Sequence, residues 1–169
     1  MSTVYMMIGL PGVGKSTYIS ETEHLSEAKL ISSDAYIEEQ ARYRQKTYNE
    51  LFDSLIKNAS SKAKYEFHVG LEENTDMVID RTNMSKKSRQ WWIDLAKKNG
   101  ATLVAYVFWV PGNYVEEHAK RLASRPGKVI PENVMKQMVA SYEAPQFSEG
   151  FDEIYYVNTF DDEIKDVEK

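Results

Sequence analysis

Eight residues near the start of the chain, Gly9-Leu10-Pro11-Gly12-Val13-Gly14-Lys15-Ser16, match the pattern G-x-x-x-x-G-K-[ST] in full, and Thr17 follows. The apolar run Val4 to Ile8 leads into them, and Lys15 to about Glu21 can leave as a helix. In that order, glycines let backbone N–H groups turn inward around phosphates at the positive end of a helix. The expectation is a nucleoside triphosphate site in which Gly9, Gly12, Val13, Gly14, Lys15, Ser16 and Thr17 surround the phosphates. Lys15, facing solvent until a nucleotide arrives, would reach the outer phosphates, and the Ser16 hydroxyl would ligate Mg²⁺. The alternative is a plain glycine turn with an exposed lysine.

The rest of the chain must build a fold around that loop. Val4 to Ile8 is apolar without alternation, as a central parallel strand covered on both faces would be. Short apolar runs recur at Ala28 to Ile31, Met77 to Ile79, Thr102 to Val110 and Ile154 to Val157. Helical segments separate them: a long region from Ala35 to about Glu73 broken near Ser60, Lys86 to Asn99 with Ser85 as cap, and two more between Tyr114 and Glu143. The first of these two has capping-box-like spacing at Asn113 and Glu116 and is stopped by Pro126; Pro131 suits the first turn of the second. At 169 residues and 42% hydrophobic composition, one core is feasible. The expected fold is α/β, a P-loop kinase-like sandwich with a central five-stranded, mainly parallel sheet and a helical lid. A single domain would span 1–169, its lid at about 114–131.

Several classes of function drop out. The chain has no cysteine and three scattered histidines, which argues against a protein-built transition-metal site. Its longest apolar run, Ala101 to Val110, is about half of a bilayer-spanning helix, and the N-terminus lacks a signal-peptide pattern. A soluble, cytoplasmic protein with no membrane partner is expected. The net charge of −5 first argues against nucleic acid. The average hides a split: Arg81 to Lys128 holds ten Lys/Arg against three Asp/Glu (+7), leaving 11 against 23 elsewhere (−12).

A phosphate loop does not say where the phosphate goes. An N-K-x-D base-reading motif of GTPases is absent, and a motor would need more chain. A small kinase fits; it requires an acceptor base, cations that follow the transferred charge, and a cover that excludes water. Asp34, in Ile31-Ser32-Ser33-Asp34, follows the second apolar run and so stands at a strand's carboxyl end, where open α/β sheets bind ligands. Its alternative role is capping the helix that starts near Ala35. Asp80, in Met77-Val78-Ile79-Asp80, would hold a Mg²⁺-bound water, orient the loop through Asn83, or merely end its strand. Arg121 and Arg125 are four apart near a helix end, so both can share one face, and Pro126-Gly127-Lys128 after them offers a hinge; the alternative is a solvated helix face. Trp91 and Trp92 cannot face the same way, which puts Trp92 in the core and Trp91 nearer solvent. The acidic tail from Asp161 to Lys169 is expected as a solvated helix or frayed end.

These segments together resemble the polynucleotide 5′-hydroxyl kinase family of P-loop phosphotransferases. The resemblance rests on GLPGVGKST at Gly9 to Thr17, Asp34 after the second strand, Asp80-Arg81-Thr82-Asn83 with Arg89 in the next helix, and Arg125 within KRLASRPGKVIP. Tyr142-Glu143-Ala144-Pro145, then Glu149-Gly150-Phe151, looks like the kinase-domain ending of animal-type members. It implies ATP as donor, Mg²⁺ as metal, Asp34 as general base toward a 5′-hydroxyl end of DNA or RNA, and Lys15 with Arg125 on the transferring phosphate. Arg121 would join the nucleotide site, and Asp34, Arg81, Asn83 and Arg44 the acceptor site. Phage-type members carry an arginine three residues after the catalytic aspartate; here that position is Ile37, which Arg42, Arg44 or Arg81 would have to replace. The phosphatase motif D-x-D-G-T of bifunctional members is absent. Two other readings stand beside this one: a kinase for a small metabolite or a modified base in DNA, and a nucleotide-binding regulatory protein without transferase activity.

Overall fold

The computed structural model describes residues 1–160 and 167–168. Five parallel strands form the sheet: β1 (Thr3–Ile8), β2 (Lys29–Ile31), β3 (Met77–Ile79), β4 (Thr102–Phe108) and β5 (Glu153–Val157), in the order β2-β3-β1-β4-β5. A sixth, β6 (Val167–Glu168), pairs antiparallel to β5, so part of the acidic tail is a short strand where a helix or frayed end was expected; residues 161–166 and 169 lie outside the described residues. β1 is central, with Met6 opposite Ile79 of β3 on one side and Ala105 of β4 on the other.

Helices cover both faces, which is why β1 carries buried side chains in succession. The helices are α1 (Lys15–Glu21), α2 (Glu23–Ser26), α3 (Ser33–Arg44), α4 (Tyr48–Glu72), α5 (Lys86–Lys98), α6 (Val115–Ala123) and α7 (Glu132–Ser141). Val4, Met6 and Ile8 pack with Phe67 and Leu71 of α4 and Trp92, Ile93 and Ala96 of α5. Met7 faces the other way, into a cluster with Tyr18, Ile19 and Leu25. A third cluster, Ile37, Ala41, Leu51, Leu55 and Ala59, joins α3 to α4. Trp92 is buried and Trp91 partly exposed, as their adjacency on a helix demands.

Two expected boundaries move. The long helical region breaks at Gln45, not near Ser60: Gln45 adopts a left-handed conformation (φ 53°) that ends α3, and Thr47 with Glu50 forms a capping box that starts α4. Ser60 lies inside α4, between Ala59 and Ala63, which pack inward. The Asn113/Glu116 cap does not form; one 3₁₀ turn at Gly112–Tyr114 precedes α6, which has no side-chain cap. Because the five strands run parallel, their carboxyl ends share one edge of the sheet. The loops after β1, β2 and β3 therefore carry the glycine loop, Asp34 and Asp80 to the same place. No described helix is long and apolar enough to cross a membrane.

Candidate active site

The glycine loop leaves β1 with Gly9 N–H bonded to the Thr82 carbonyl at 2.9 Å. Gly12 and Gly14 take left-handed conformations (φ 76° and 94°), and Gly14 sits at the N-cap of α1 without a side-chain cap, so the first amides of α1 stay open. A Cβ on Gly12 would come within 2.9 Å of the Leu122 side chain, so α6 rests directly on the loop. His118 of the same helix is buried, with Nε2 2.7 Å from the Pro11 carbonyl. The Thr159 hydroxyl donates to the Val13 carbonyl from the loop after β5.

Lys15 is 9% exposed and folded back on its own loop, donating to the Gly9 and Leu10 carbonyls at 2.6 and 3.0 Å. It does not face solvent as expected, because the carbonyls of its own loop solvate the ammonium. Burial lowers its pKa to about 8, against the opposing pull of Asp80 and Asp34. Ser16 Oγ lies 3.3 Å from Asp80 Oδ2. Burial, reinforced by the Asp34 charge, raises the Asp80 pKa, and the nearby Lys15 charge and the Ser16 hydrogen bond only partly offset it. A hydroxyl and a carboxylate facing one another suit Mg²⁺, which keeps waters and takes few protein ligands. Among the described residues no cluster of three His, Cys, Asp or Glu could hold a metal. The fit therefore requires nucleotide phosphates as the remaining ligands.

Asp34 is not the cap of α3. Ser32 is, its Oγ accepting from Ala35 N–H at 3.2 Å, which leaves the Asp34 side chain to face the cavity. Its Oδ1 accepts from the Tyr48 hydroxyl at 2.6 Å and its Oδ2 from Lys128 Nζ at 3.1 Å. Burial would raise its pKa, but the Lys128 charge, the two hydrogen bonds and the nearby Arg125 outweigh burial and lower it. Lys128 also reaches Glu38 Oε1 at 2.7 Å. Tyr48, Glu38 and Lys128 were missed as site residues. Glu38 had a signal, one helical turn beyond Asp34; Lys128 was legible only as part of a basic turn, and Tyr48 had none.

The two lid arginines both line the cavity but differ in their partners. Arg121 turns to the Thr159 hydroxyl and carbonyl (3.2 and 3.1 Å), its guanidinium 4.0 Å from the Phe160 ring centre. Arg125 lies in the turn beyond α6, lines the cavity, and has a buried Nη1 without a hydrogen-bond partner among the described residues. A guanidinium N–H stranded on the wall that also carries Lys15 is the donor a phosphate oxygen would satisfy. The turn at Pro126-Gly127-Lys128 is anchored rather than free to hinge here: the Gly127 carbonyl accepts from Asn49 N–H at 3.1 Å. The cavity these groups enclose is about 780 Å³, and Asp80, Arg81, Arg121 and Thr159 also line it.

Two expected acceptor residues lie elsewhere. Asn83 is buried, its side-chain Nδ2 donating to the Met7 carbonyl at 2.8 Å and its backbone carbonyl accepting from Arg89, so it braces the loop after β3. Arg44 is exposed in the last turn of α3, about 15 Å along the helix from Asp34 at 1.5 Å per residue. Arg81 does reach the cavity, with its guanidinium 5.5 Å from the Trp92 ring centre. Ile37 is fully buried in the α3–α4 cluster, which explains why no cation stands there. Four of the ten basic residues in the stretch form ion pairs within the chain: Arg89 with Glu149 (2.9 Å), Lys97 with Asp152 (2.9 Å), Arg121 with Glu117 (3.7 Å), and Lys128 with Asp34 and Glu38.

Among solved structures, the chain is similar to the AvrRxo1-ORF1:-ORF2 complex with ATP (TM-score 0.74, 12% identity, 99% of this chain and 57% of that one). It is also similar to a sugar kinase from Janibacter sp. (TM-score 0.56, 14% identity, 92% and 86%). A third similar structure is the Pnkp1/Rnl/Hen1 complex (TM-score 0.53, 22% identity, 78% and 42%). The chain thus spans only about half of the AvrRxo1 chain and less of the Pnkp1-complex chain. At such identities the likeness shows the shared fold. The family model described as AAA domain, AAA_33, matches residues 4–145, and the chain belongs to this family of P-loop kinase-like nucleotide-binding domains.

Proposed function

We propose that the protein is an ATP-dependent phosphotransferase that moves the γ-phosphate to a hydroxyl, with the 5′-hydroxyl end of DNA or RNA as acceptor. The observation that carries this reading is the Asp34 carboxylate, half exposed, held ionised by Tyr48 and Lys128, and lining the same cavity as Lys15 and Arg125. An attacking alcohol must lose its proton as its oxygen bonds to phosphorus and the bond to the leaving ADP oxygen breaks; Asp34 would take that proton. Lys15 and the stranded Nη1 of Arg125 would follow the transferred charge. Mg²⁺, held by Ser16 and through water by Asp80, would supply charge neutralisation on the phosphates.

The 5′-hydroxyl acceptor is supported by the motif resemblance and by the fold neighbour named for Pnkp1. With Ile37 buried, Arg81 is the cavity cation available to an acceptor phosphate. A small-molecule or modified-base acceptor is favoured by a different observation, the engagement of part of the basic stretch in internal ion pairs rather than along a strand-binding track. An end-labelling assay with ATP separates them. Phosphate at the 5′ end of an oligonucleotide supports the first reading; transfer only to a small alcohol selects the second; bound ATP with no transfer to any acceptor refutes both. Salt gives a second check, since affinity for a longer strand falls with ionic strength when several phosphates are contacted, whereas a mononucleotide responds little.

A further inference from the structure

The acceptor end of the cavity holds two carboxylates one turn apart on α3, Asp34 and Glu38, with one lysine between them. Lys128 Nζ is 3.1 Å from Asp34 Oδ2, 2.7 Å from Glu38 Oε1 and 4.3 Å from the centre of the Tyr48 ring. The lysine is 9% exposed. The loop that brings it is gripped by the start of α4: Asn49 Nδ2 donates to the Val129 carbonyl and Val129 N–H donates to Asn49 Oδ1, each at 2.9 Å. Asn49 N–H also donates to the Gly127 carbonyl at 3.1 Å. The lysine's place is therefore set by contacts between the lid loop and α4, far in sequence from the carboxylate it meets.

We propose that Lys128 is a positioning residue for phosphoryl transfer: seated by the Asn49 clamp and shared with Glu38, it holds the Asp34 carboxylate toward the cavity. The inference rests on Asp34 being the acceptor base. Two carboxylates four apart on a helix repel, and a cation between them removes that repulsion. Tyr48 holds one oxygen of Asp34 and Lys128 the other, from two different elements, so the carboxylate cannot swing away from an approaching hydroxyl. Further charges around Asp34 come from Lys15 on the glycine loop, Asp80 and Arg81 after β3, and Arg125 after α6. Among the described residues, Lys128 is the cation hydrogen-bonded to it.

Three variants test this in the full chain. Lys128→Met keeps the stem over Tyr48 and removes the charge, Lys128→Arg restores it, and Glu38→Gln removes the competing carboxylate. Transfer from ATP to a 5′-hydroxyl oligonucleotide is followed across pH, and the Asp34 carboxyl carbon is titrated by NMR, which needs no turnover. Lys128→Met should lower kcat about tenfold to a hundredfold with the KM for ATP within about threefold, as misplacement of a reacting group does. The acid limb of kcat and the Asp34 titration should move to higher pH together, and Lys128→Arg should recover most of the loss. Glu38→Gln should move the Asp34 titration the opposite way. An unmoved Asp34 titration and acid limb in Lys128→Met overturns the proposal. If the wild-type chain transfers phosphate to nothing, the functional reading fails, while the NMR titration still decides whether Lys128 governs Asp34.

Discussion

The Lys15 ammonium donates to the Gly9 carbonyl at 2.6 Å, inside the loop that it would have to leave to meet a phosphate. In this form the loop is closed on its own lysine, and the lysine is buried enough for its proton affinity to fall.

Burying that charge costs stability, which gives the first prediction. The folded pKa of Lys15 is lowered from 10.5 to about 8, so between those values the unfolded chain holds more protons and stability rises with pH. Below pH 8 the cost is fully present. Lys15→Met should therefore melt at the same temperature as wild type or higher at pH 7, with the gap closing toward pH 10, while transfer is lost. Thermal scans over that range check it; a variant that melts well below wild type at pH 7 would make the lysine a structural support.

The second prediction concerns Asp34. Asparagine keeps the size and one acceptor oxygen, which can take the Tyr48 hydroxyl or Lys128 Nζ but not both, so Asp34→Asn removes the charge at the cost of one of the two hydrogen bonds, with the melting temperature as the check on the fold. Single-turnover transfer should fall at least about a hundredfold, the usual size of a general-base effect, while ATP affinity changes little. Transfer within a few-fold of wild type would pass the role to Asp80.

A third prediction separates a residue that resembles a functional one from its structural task. Arg89 has no exposure, and its Nε and Nη2 bond both oxygens of Glu149 while Nη1 holds the carbonyls of Asn83 and Met84. Removing one partner of such a pair typically costs about 3–5 kcal/mol. Arg89→Met should lower unfolding free energy by that order in a urea titration, with ATP affinity within a few-fold of wild type where the variant is folded. A stable variant that has lost ATP binding would place Arg89 in the site after all.

The sheet and the donor half of the site were legible because their signals are local. An apolar run without alternation followed by G-x-x-x-x-G-K-S places β1, the loop and α1 in one stretch, and Asp34 and Asp80 could be placed because each directly follows such a run. The partners that surround Asp34 were not legible. Lys128 meets Asp34 across 94 residues, and Thr159 meets Val13 across 146, and no periodicity or spacing connects them. The same limit misplaced Asn83 and Arg44: their residue types suit substrate binding, but one is turned to brace Met7 and the other is carried to the far end of α3. The positive stretch also looked different in sequence, where Glu149 and Asp152 cannot be seen to lie beside Arg89 and Lys97.

The last prediction uses the division between the two lid arginines. Arg125 lines the cavity with a buried Nη1 that has no partner among the described residues, an arrangement that costs stability unless a ligand completes it. Arg121 already has its partners in Thr159 and Glu117. The two substitutions should therefore fail differently. Arg125→Ala removes a donor that engages charge spread over the transferring phosphoryl group, so kcat should fall by at least about tenfold with little loss of stability. Arg121→Ala frees the Thr159 loop from α6 and should act through nucleotide affinity and melting temperature, with kcat at saturating ATP reduced less than in Arg125→Ala. Paired measurements of kcat, KM for ATP and thermal midpoint on both variants decide it. Near wild-type turnover in Arg125→Ala would remove it from the transition state and leave Lys15 as the cation that follows the phosphate.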